Sequence, residues 1–202
     1  MIRAALQTLP FSHHTELVFT VTLPNRASVL MKLGTSLEDD SINEVVIVDA
    51  KKFVKAWRAD PYGHQKEIAY GNPTTWTVDR KYAAAELEIL KNQSSPVPLA
   101  LVSAFWAFRT DRWPRLFNPF HRRTVQGCLN FTDGITRTIW LLSNGCDAFP
   151  VLCDHGQGEC LARVAGTVQE KAYTPQELCK EAQQSSLEWK PTNGNFHDSI
   201  GG

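Results

Sequence analysis

The chain has 202 residues, 43% of them hydrophobic and 21% charged, and its 21 basic and 21 acidic side chains cancel to a formal net charge of zero. That length suits one well-buried domain with room for an added lobe, and the composition is that of an ordinary soluble globular protein. A neutral chain has no global field to draw it to nucleic acid or to an anionic membrane. No apolar run approaches the length that crosses a bilayer, so membrane insertion is excluded and the cytoplasm is the expected location.

The opening residues, MIRAALQTLPFSHHTE, lack a long apolar core and read as neither signal peptide nor anchor. Glu16 to Leu23 and Ala27 to Leu33 are β-rich runs joined by Pro24-Asn25-Arg26, which predicts a hairpin, either an added lid or an edge of the main sheet. Leu37 to Asn43 is a polar, acidic connector. Glu44 to Asp49 is a continuous β-branched run, as in a strand buried on both faces. A short helix follows over Lys51 to Arg58, with Phe53, Val54 and Trp57 on one face and the lysines and Arg58 in water. The chain then reads as loop to Pro73, with a brief strand at Trp76 and Val78. Asp79 caps a helix over Arg80 to Lys91, whose Tyr82, Ala85, Leu87 and Leu90 face a core. After a break at Asn92 to Ser95, Val97 to Phe108 begins as a central strand and either continues or turns into loop.

Gln126 to Cys153 is the most patterned stretch. Cys128 to Phe131 reads as strand, Asp133-Gly134 as a turn, and Ile139, Leu142 and Cys146 as the stripe of a helix widened by Trp140 and Leu141. Asn144-Gly145 ends the helix and Phe149 to Cys153 forms a second buried strand. Pro175 to Gln184 is a helix with proline at its first position, and the turn-rich end is expected to be mobile.

Three constellations carry chemistry. A glycine turn feeding a helix leaves backbone N–H groups unpaired at the positive end of the helix dipole. Thr136 adds a hydroxyl there, and Arg137 a planar fork for phosphate or carboxylate. On the same residues, Asp133 or Thr136 instead caps the helix while Arg137 forms a surface ion pair, and both readings stand. Second, Arg109 to Arg123 holds five arginines interleaved with Trp113, Phe117 and Phe120. That pattern suits a protein interface or single-stranded nucleic acid, the latter ranked behind because the chain is neutral. The structural alternative is a long loop with its aromatics on the core. Third, Cys153-Asp154-His155 with Cys160 lacks any paired ligand spacing, so no metal site is assigned. Asp133 with Asp111, Asp154 or Glu159 would be needed for metal-assisted phosphodiester cleavage, but spacing does not bring them together. No catalytic residue is assigned. The five cysteines, odd in number and without framework spacing, are expected to be reduced.

Phe131 to Leu142, followed by Asn144-Gly145 and Phe149-Pro150-Val151, resembles the phosphate-binding core of the ParB/sulfiredoxin superfamily: strand, G-x-x-R element, helix, Gly, then a strand beginning with Pro-Val. Within that superfamily the chain is similar to plasmid fertility inhibition factors of the FiwA, FipA and Osa type. Val46 to Asp49, Phe53 to Asp60, Trp76 to Ala85 and Pro96 to Ala100 carry the same likeness, and together the pieces cover most of residues 45–155.

The resemblance implies an α/β (α+β) fold, a ParB/sulfiredoxin-like single domain. It divides into an N-terminal β-hairpin region (1–43), a core (44–160) and a C-terminal extension with a short helix and mobile tail (161–202). It implies phosphate or nucleotide binding by Gly134 and Arg137, beside Asp133 and Thr136. Sulfiredoxin-type members carry a cysteine and a histidine after the glycine; Ile135 and Thr136 stand there, which sets sulfinic acid reduction aside. The implied function is a plasmid-encoded factor that blocks conjugative transfer of a co-resident plasmid. The implied partner is the type IV secretion coupling ATPase, bound through Arg109, Arg112, Trp113, Arg115, Phe117, Phe120, Arg122 and Arg123. No cofactor is assigned on that reading. The alternative is an ATP-dependent DNase or ATPase that attacks transferred DNA, with ATP and magnesium as cofactors and DNA as partner.

Overall fold

Period-two alternation organises the N-terminal strands. In β2 (Thr15–Leu23) the odd positions Leu17, Phe19, Val21 and Leu23 are buried, and β3 (Arg26–Lys32) buries Val29 and Met31 on the same phase. The antiparallel register pairs Phe19 with Met31 and Val21 with Val29, so the apolar positions of both strands share one face. β1 (Ile2–Thr8) adds to the other side of β2, from Ile2 opposite Val21 to Thr8 opposite Thr15. The computed structural model describes residues 2–8, 15–24, 26–33, 43–63, 65–78, 80–91, 96–109, 124–167 and 171–188.

A second sheet runs β7-β6-β8-β4-β9: β4 (Asn43–Asp49), β6 (Ala100–Arg109), β7 (Thr124–Asp133), β8 (Ala148–Asp154) and β9 (Ala172–Tyr173). The pairing of β6 with β8 is parallel and the others are antiparallel. Phe149 to Cys153 are buried without interruption, as expected of a strand covered on both faces. The short β5 (Val97–Pro98) lies parallel to β3, and Leu99 donates its N–H to the Lys32 carbonyl at 2.8 Å. One residue later the chain is in β6, so a single apolar run crosses from the first sheet to the second.

The helices fill the space around the sheets. Asp49 caps α1 (Ala50–Ala59) by accepting from the Lys52 N–H at 2.8 Å, and Ala50, Phe53, Ala56 and Trp57 are buried. Phe53 packs edge-on against Phe149 and Phe131, with centroids 5.2 and 5.6 Å apart, and Trp57 meets Phe131 at 4.9 Å. Next come α2 (Lys66–Ala69), α3 (Pro73–Trp76), α4 (Arg80–Lys91), α5 (Ile135–Ser143), α6 (Gly158–Ala165) and α7 (Pro175–Glu188). α6 packs on β4 and β6 beside α1, and α7 packs on β1. The N-terminus of α6 is held by Glu44, whose Oε2 accepts from the N–H groups of Gly156 and Gly158 at 3.1 and 2.7 Å. α6 runs across position 160, where the sequence reading ends the core, and Leu161, Ala162 and Ala165 are buried in it.

Several expectations need correction. Trp76 and Val78 form no strand: Trp76 ends α3, whose N-terminus is closed by a reciprocal capping box between Asn72 and Thr75, and Val78 is exposed. The stretch before Pro73, read as loop, contains α2. In α4 the buried side chains are Tyr82, Ala85 and Ile89, whereas Leu87 and Leu90 face water. Arg58 does not point into solvent. Its Nε and guanidinium nitrogen donate to the carbonyls of Ala69 at 2.7 Å and Gly71 at 2.9 Å, tying the α2–α3 turn to α1. α5 buries Thr138, Ile139, Trp140 and Leu141 in succession and so is surrounded on more than one side, which a single stripe does not describe. Asp79, residues 92–95, most of the acidic connector and residues 110–123 lie outside the described residues.

Candidate functional site

β7 delivers the chain to Asp133, and the turn into α5 is made by Gly134 at φ 83°, ψ 15°, a left-handed conformation that favours glycine. Space adds a second requirement. A Cβ on Gly134 would lie 2.7 Å from both Cα and Cβ of Ala100, at the start of β6. No side chain caps α5. Thr138, buried in the first turn, donates both its N–H and its hydroxyl to the Gly134 carbonyl at 3.0 and 3.1 Å. The capping roles considered for Asp133 and Thr136 are therefore not taken up.

Asp133 instead pairs with Arg137, one helical turn on, at 2.8 Å. That hydrogen bond holds the Asp133 carboxyl below its usual range. Arg137 is mostly buried and Asp133 is exposed, and the Arg137 Nε is enclosed with no hydrogen-bond partner among the described residues. One donor of the fork is thus engaged by a solvent-facing carboxylate and another is left over. An exposed i,i+4 pair contributes about 0.3–0.5 kcal/mol, whereas a hydrogen bond to a charged group contributes about 1.5–3 kcal/mol.

The pocket around this junction has a volume of about 330 Å³, near the lower end of the roughly 300–1,000 Å³ typical of small-molecule sites. All four candidates, Asp133, Gly134, Thr136 and Arg137, line it. Opposite them stand Lys81, Ala85 and Glu88 of α4. Phe131, on the pocket wall, is braced from behind by Phe53 and Trp57. Sequence reading missed the α4 contribution, although Lys81, Ala85 and Glu88 follow i, i+4, i+7 and so share one helical face. Two cations, Lys81 and Arg137, face two carboxylates, Asp133 and Glu88, so the pocket is not a strongly positive cradle. Thiol chemistry is absent from it: burial pushes Cys146 up to about 11 and Cys153 up to about 12, and no cysteine lines the walls. All five thiols are free. Among the described residues no cluster of potential ligands can hold a metal ion, and no helix is long and apolar enough to cross a membrane.

Of the partner-binding candidates, Arg109 ends β6, and Arg112, Trp113, Arg115, Phe117, Phe120, Arg122 and Arg123 lie outside the described residues. The hairpin that leads into them is described. Its end exposes Trp106 (53%), Phe108 (66%) and Val125 (56%), a patch that sequence reading did not single out.

A strand, a left-handed glycine, a helix carrying an inward arginine and a returning buried strand define a mixed α/β protein, an arrangement consistent with a ParB/sulfiredoxin-like fold. The fold is similar to the crystal structure of Oncogenic Suppression Activity Protein, a plasmid fertility inhibition factor, in its gold(I) cyanide derivative. The TM-score is 0.64 at 23% identity, over 93% of this chain and 85% of that one. Protein osa of Shigella flexneri is 30% identical over 152 residues, spanning 75% of this chain and 69% of that protein. The family described as Plasmid Fertility inhibition factor matches residues 45–166. The chain belongs to the plasmid fertility inhibition factors.

Proposed function

We propose that the protein blocks conjugative transfer of a co-resident plasmid by binding the coupling ATPase of the type IV secretion system. The observation that supports this reading is the exposed patch of Trp106, Phe108 and Val125 at the end of the β6–β7 hairpin, continuous in sequence with Arg109 to Arg123. Two exposed aromatics beside an arginine-rich stretch have the composition of an interface hot spot. A purified pull-down against the coupling ATPase, with and without ATP, tests it. Trp106→Ala with Phe108→Ala, and separately Arg112→Ala with Trp113→Ala, should lose capture and relieve the transfer block. Retention of both by both double variants would sink the proposal.

A second reading, an ATP-dependent ATPase or DNase centred on the Gly134 pocket, is favoured by the unpartnered Arg137 Nε. Under it, Gly134, Thr136 and Arg137 hold the nucleotide while nearby acids bind its magnesium. Arg137→Ala should then abolish nucleotide binding and any hydrolysis. If the protein acts by binding its partner, the same variant leaves the transfer block intact.

A further inference from the structure

A second cavity, of about 600 Å³, opens between α1, α6 and the β6–β7 hairpin. Its floor follows from strand register. Trp106 pairs with Gly127 and Phe108 with Val125, and residues directly opposite in an antiparallel pair share a face. On the same phase, Ala104 and its partner Leu129 are buried. Towards the end of the hairpin, Trp106 and Val125 face water. Gly127 lets this floor close: a Cβ there would strike the Val164 side chain and lie 3.2 Å from the six-membered ring of Trp106. The indole therefore lies across the glycine against α6.

Above the apolar floor stand three cations, Lys52 and Lys55 from α1 and Arg163 from α6, and no carboxylate lines the cavity. Lys52 is fixed in place by donating to the Gly166 carbonyl at 2.9 Å. Arg163 pairs with Glu159 on the exposed side of α6, a bond that solvent weakens. The third wall is β7, the terminal strand of its sheet, which pairs only with β6 among the described residues. A terminal strand presents unpaired backbone N–H and C=O groups along its outer edge.

We propose that this groove docks an extended acidic segment of a partner protein. The segment runs along the β7 edge, sets an aliphatic or aromatic anchor on Trp106, Val125 and Val164, and directs its carboxylates to Lys52, Lys55 and Arg163. Backbone pairing at a sheet edge with alternate side chains in a pocket is an established mode of peptide recognition. The rim charge selects the acidic class. Single-stranded nucleic acid fits less well, because the cavity has one stacking ring and the net charge of the chain is zero. The proposal rests on the reading of the protein as a partner-binding factor and specifies the partner's chemistry.

The test uses the full chain as bait for a phage-displayed random peptide library, with the winning peptides resynthesised carrying a fluorophore. Recovered peptides should bear Asp or Glu around an aliphatic or aromatic residue and should bind more weakly as salt rises. Affinity should fall about tenfold in Trp106→Ala and in Lys55→Glu with Arg163→Gln, and stay unchanged in Arg137→Ala. Circular dichroism of each variant confirms that the fold is retained. A neutral or basic consensus overturns the proposal, as does binding lost in Arg137→Ala but kept in the groove variants. Tighter binding of a single-stranded oligothymidine at this groove, or self-association abolished by Trp106→Ala, overturns it in favour of a nucleic-acid or second-copy occupant. If the peptides behave as expected while coupling-ATPase capture is untouched by the groove variants, the groove stands and the identity of the partner falls.

Discussion

Replacing Gly134 by alanine isolates how much of the site's stability comes from the contact between α5 and β6. Three described glycines have positive φ: Gly134 at 83°, Gly145 at 74° and Gly156 at 81°. Each alanine variant pays the left-handed penalty, about 1–2 kcal/mol, offset by about 0.4–1 kcal/mol because alanine has less freedom to lose on folding. They differ in space. A Cβ at Gly156 meets nothing within 4 Å and one at Gly145 reaches Pro24 at 3.4 Å, whereas one at Gly134 lies 2.7 Å from Ala100. Overpacking adds about 1–3 kcal/mol at that position alone. The expected losses are therefore about 1 kcal/mol for Gly145→Ala and Gly156→Ala, and about 3 kcal/mol for Gly134→Ala. For a chain of this length, those losses correspond to melting points lowered by about 3 °C and about 10 °C. Urea unfolding followed by tryptophan fluorescence, with unchanged denaturant slope, gives the values directly. If the three variants lie within about half a kcal/mol of one another, beyond which surface changes rarely reach, the close approach to Ala100 carries no energy and the reasoning fails.

Arg58→Ala should destabilise by about 2–3 kcal/mol, since two carbonyls lose a charged donor. Arg58→Lys should restore less than half of that in urea unfolding, because an ammonium cannot span both acceptors. Cys146 and Cys153 should resist alkylation by iodoacetamide at pH 9 in the folded protein and react only on unfolding. Their raised values also make stability fall as pH climbs from about 9, the unfolded thiol range, towards about 11 to 12, because the unfolded chain ionises first. A denaturation midpoint that stays flat across that window would contradict this burial. In a carboxyl NMR titration Asp133 should ionise below the ordinary aspartate range and return to it in Arg137→Ala, since the arginine hydrogen bond is the leading cause of its shift. The contribution of the pair is present above the unfolded aspartate value and is lost as pH falls through the depressed folded one.

The turn at Asp133-Gly134, the stop at Asn144-Gly145 and the strand at Phe149 to Cys153 were legible because their signals are local. Glycine marks positive φ whatever packs around it, and a run of buried residues marks a central strand. Contacts between distant segments were not legible. Arg58 reads as a surface charge until the fold brings the Ala69 and Gly71 carbonyls to it. Leu87 and Leu90 complete an apolar stripe on paper, yet α4 turns Tyr82, Ala85 and Ile89 inward and leaves those leucines in water. At Trp76 a usable cue went unread: Asn72 followed by Pro73, with Thr75 three positions on, is a helix start. The fertility-inhibition identity came from the motif around Gly134 taken with its flanking pieces. The groove at Trp106 came from none of these, since it depends on how α1 and α6 sit against the hairpin.

The passage from β5 to β6 places a constraint on how this chain can vary. Val97 and Pro98 lie beside β3, Leu99 reaches back to Lys32, and Ala100 already belongs to the other sheet, where it abuts Gly134. Because side chains alternate faces along a strand, one inserted or deleted residue here would invert the phase of β6 relative to β3. The same slip would pull Ala100 out from under the α5 turn. Loops elsewhere can lengthen with small loss, but these four positions act as a fixed gauge between two sheets and the pocket. Length in this segment should therefore be far more restricted than residue identity, and a single alanine insertion after Pro98 should disrupt the molecule more than any one substitution around it.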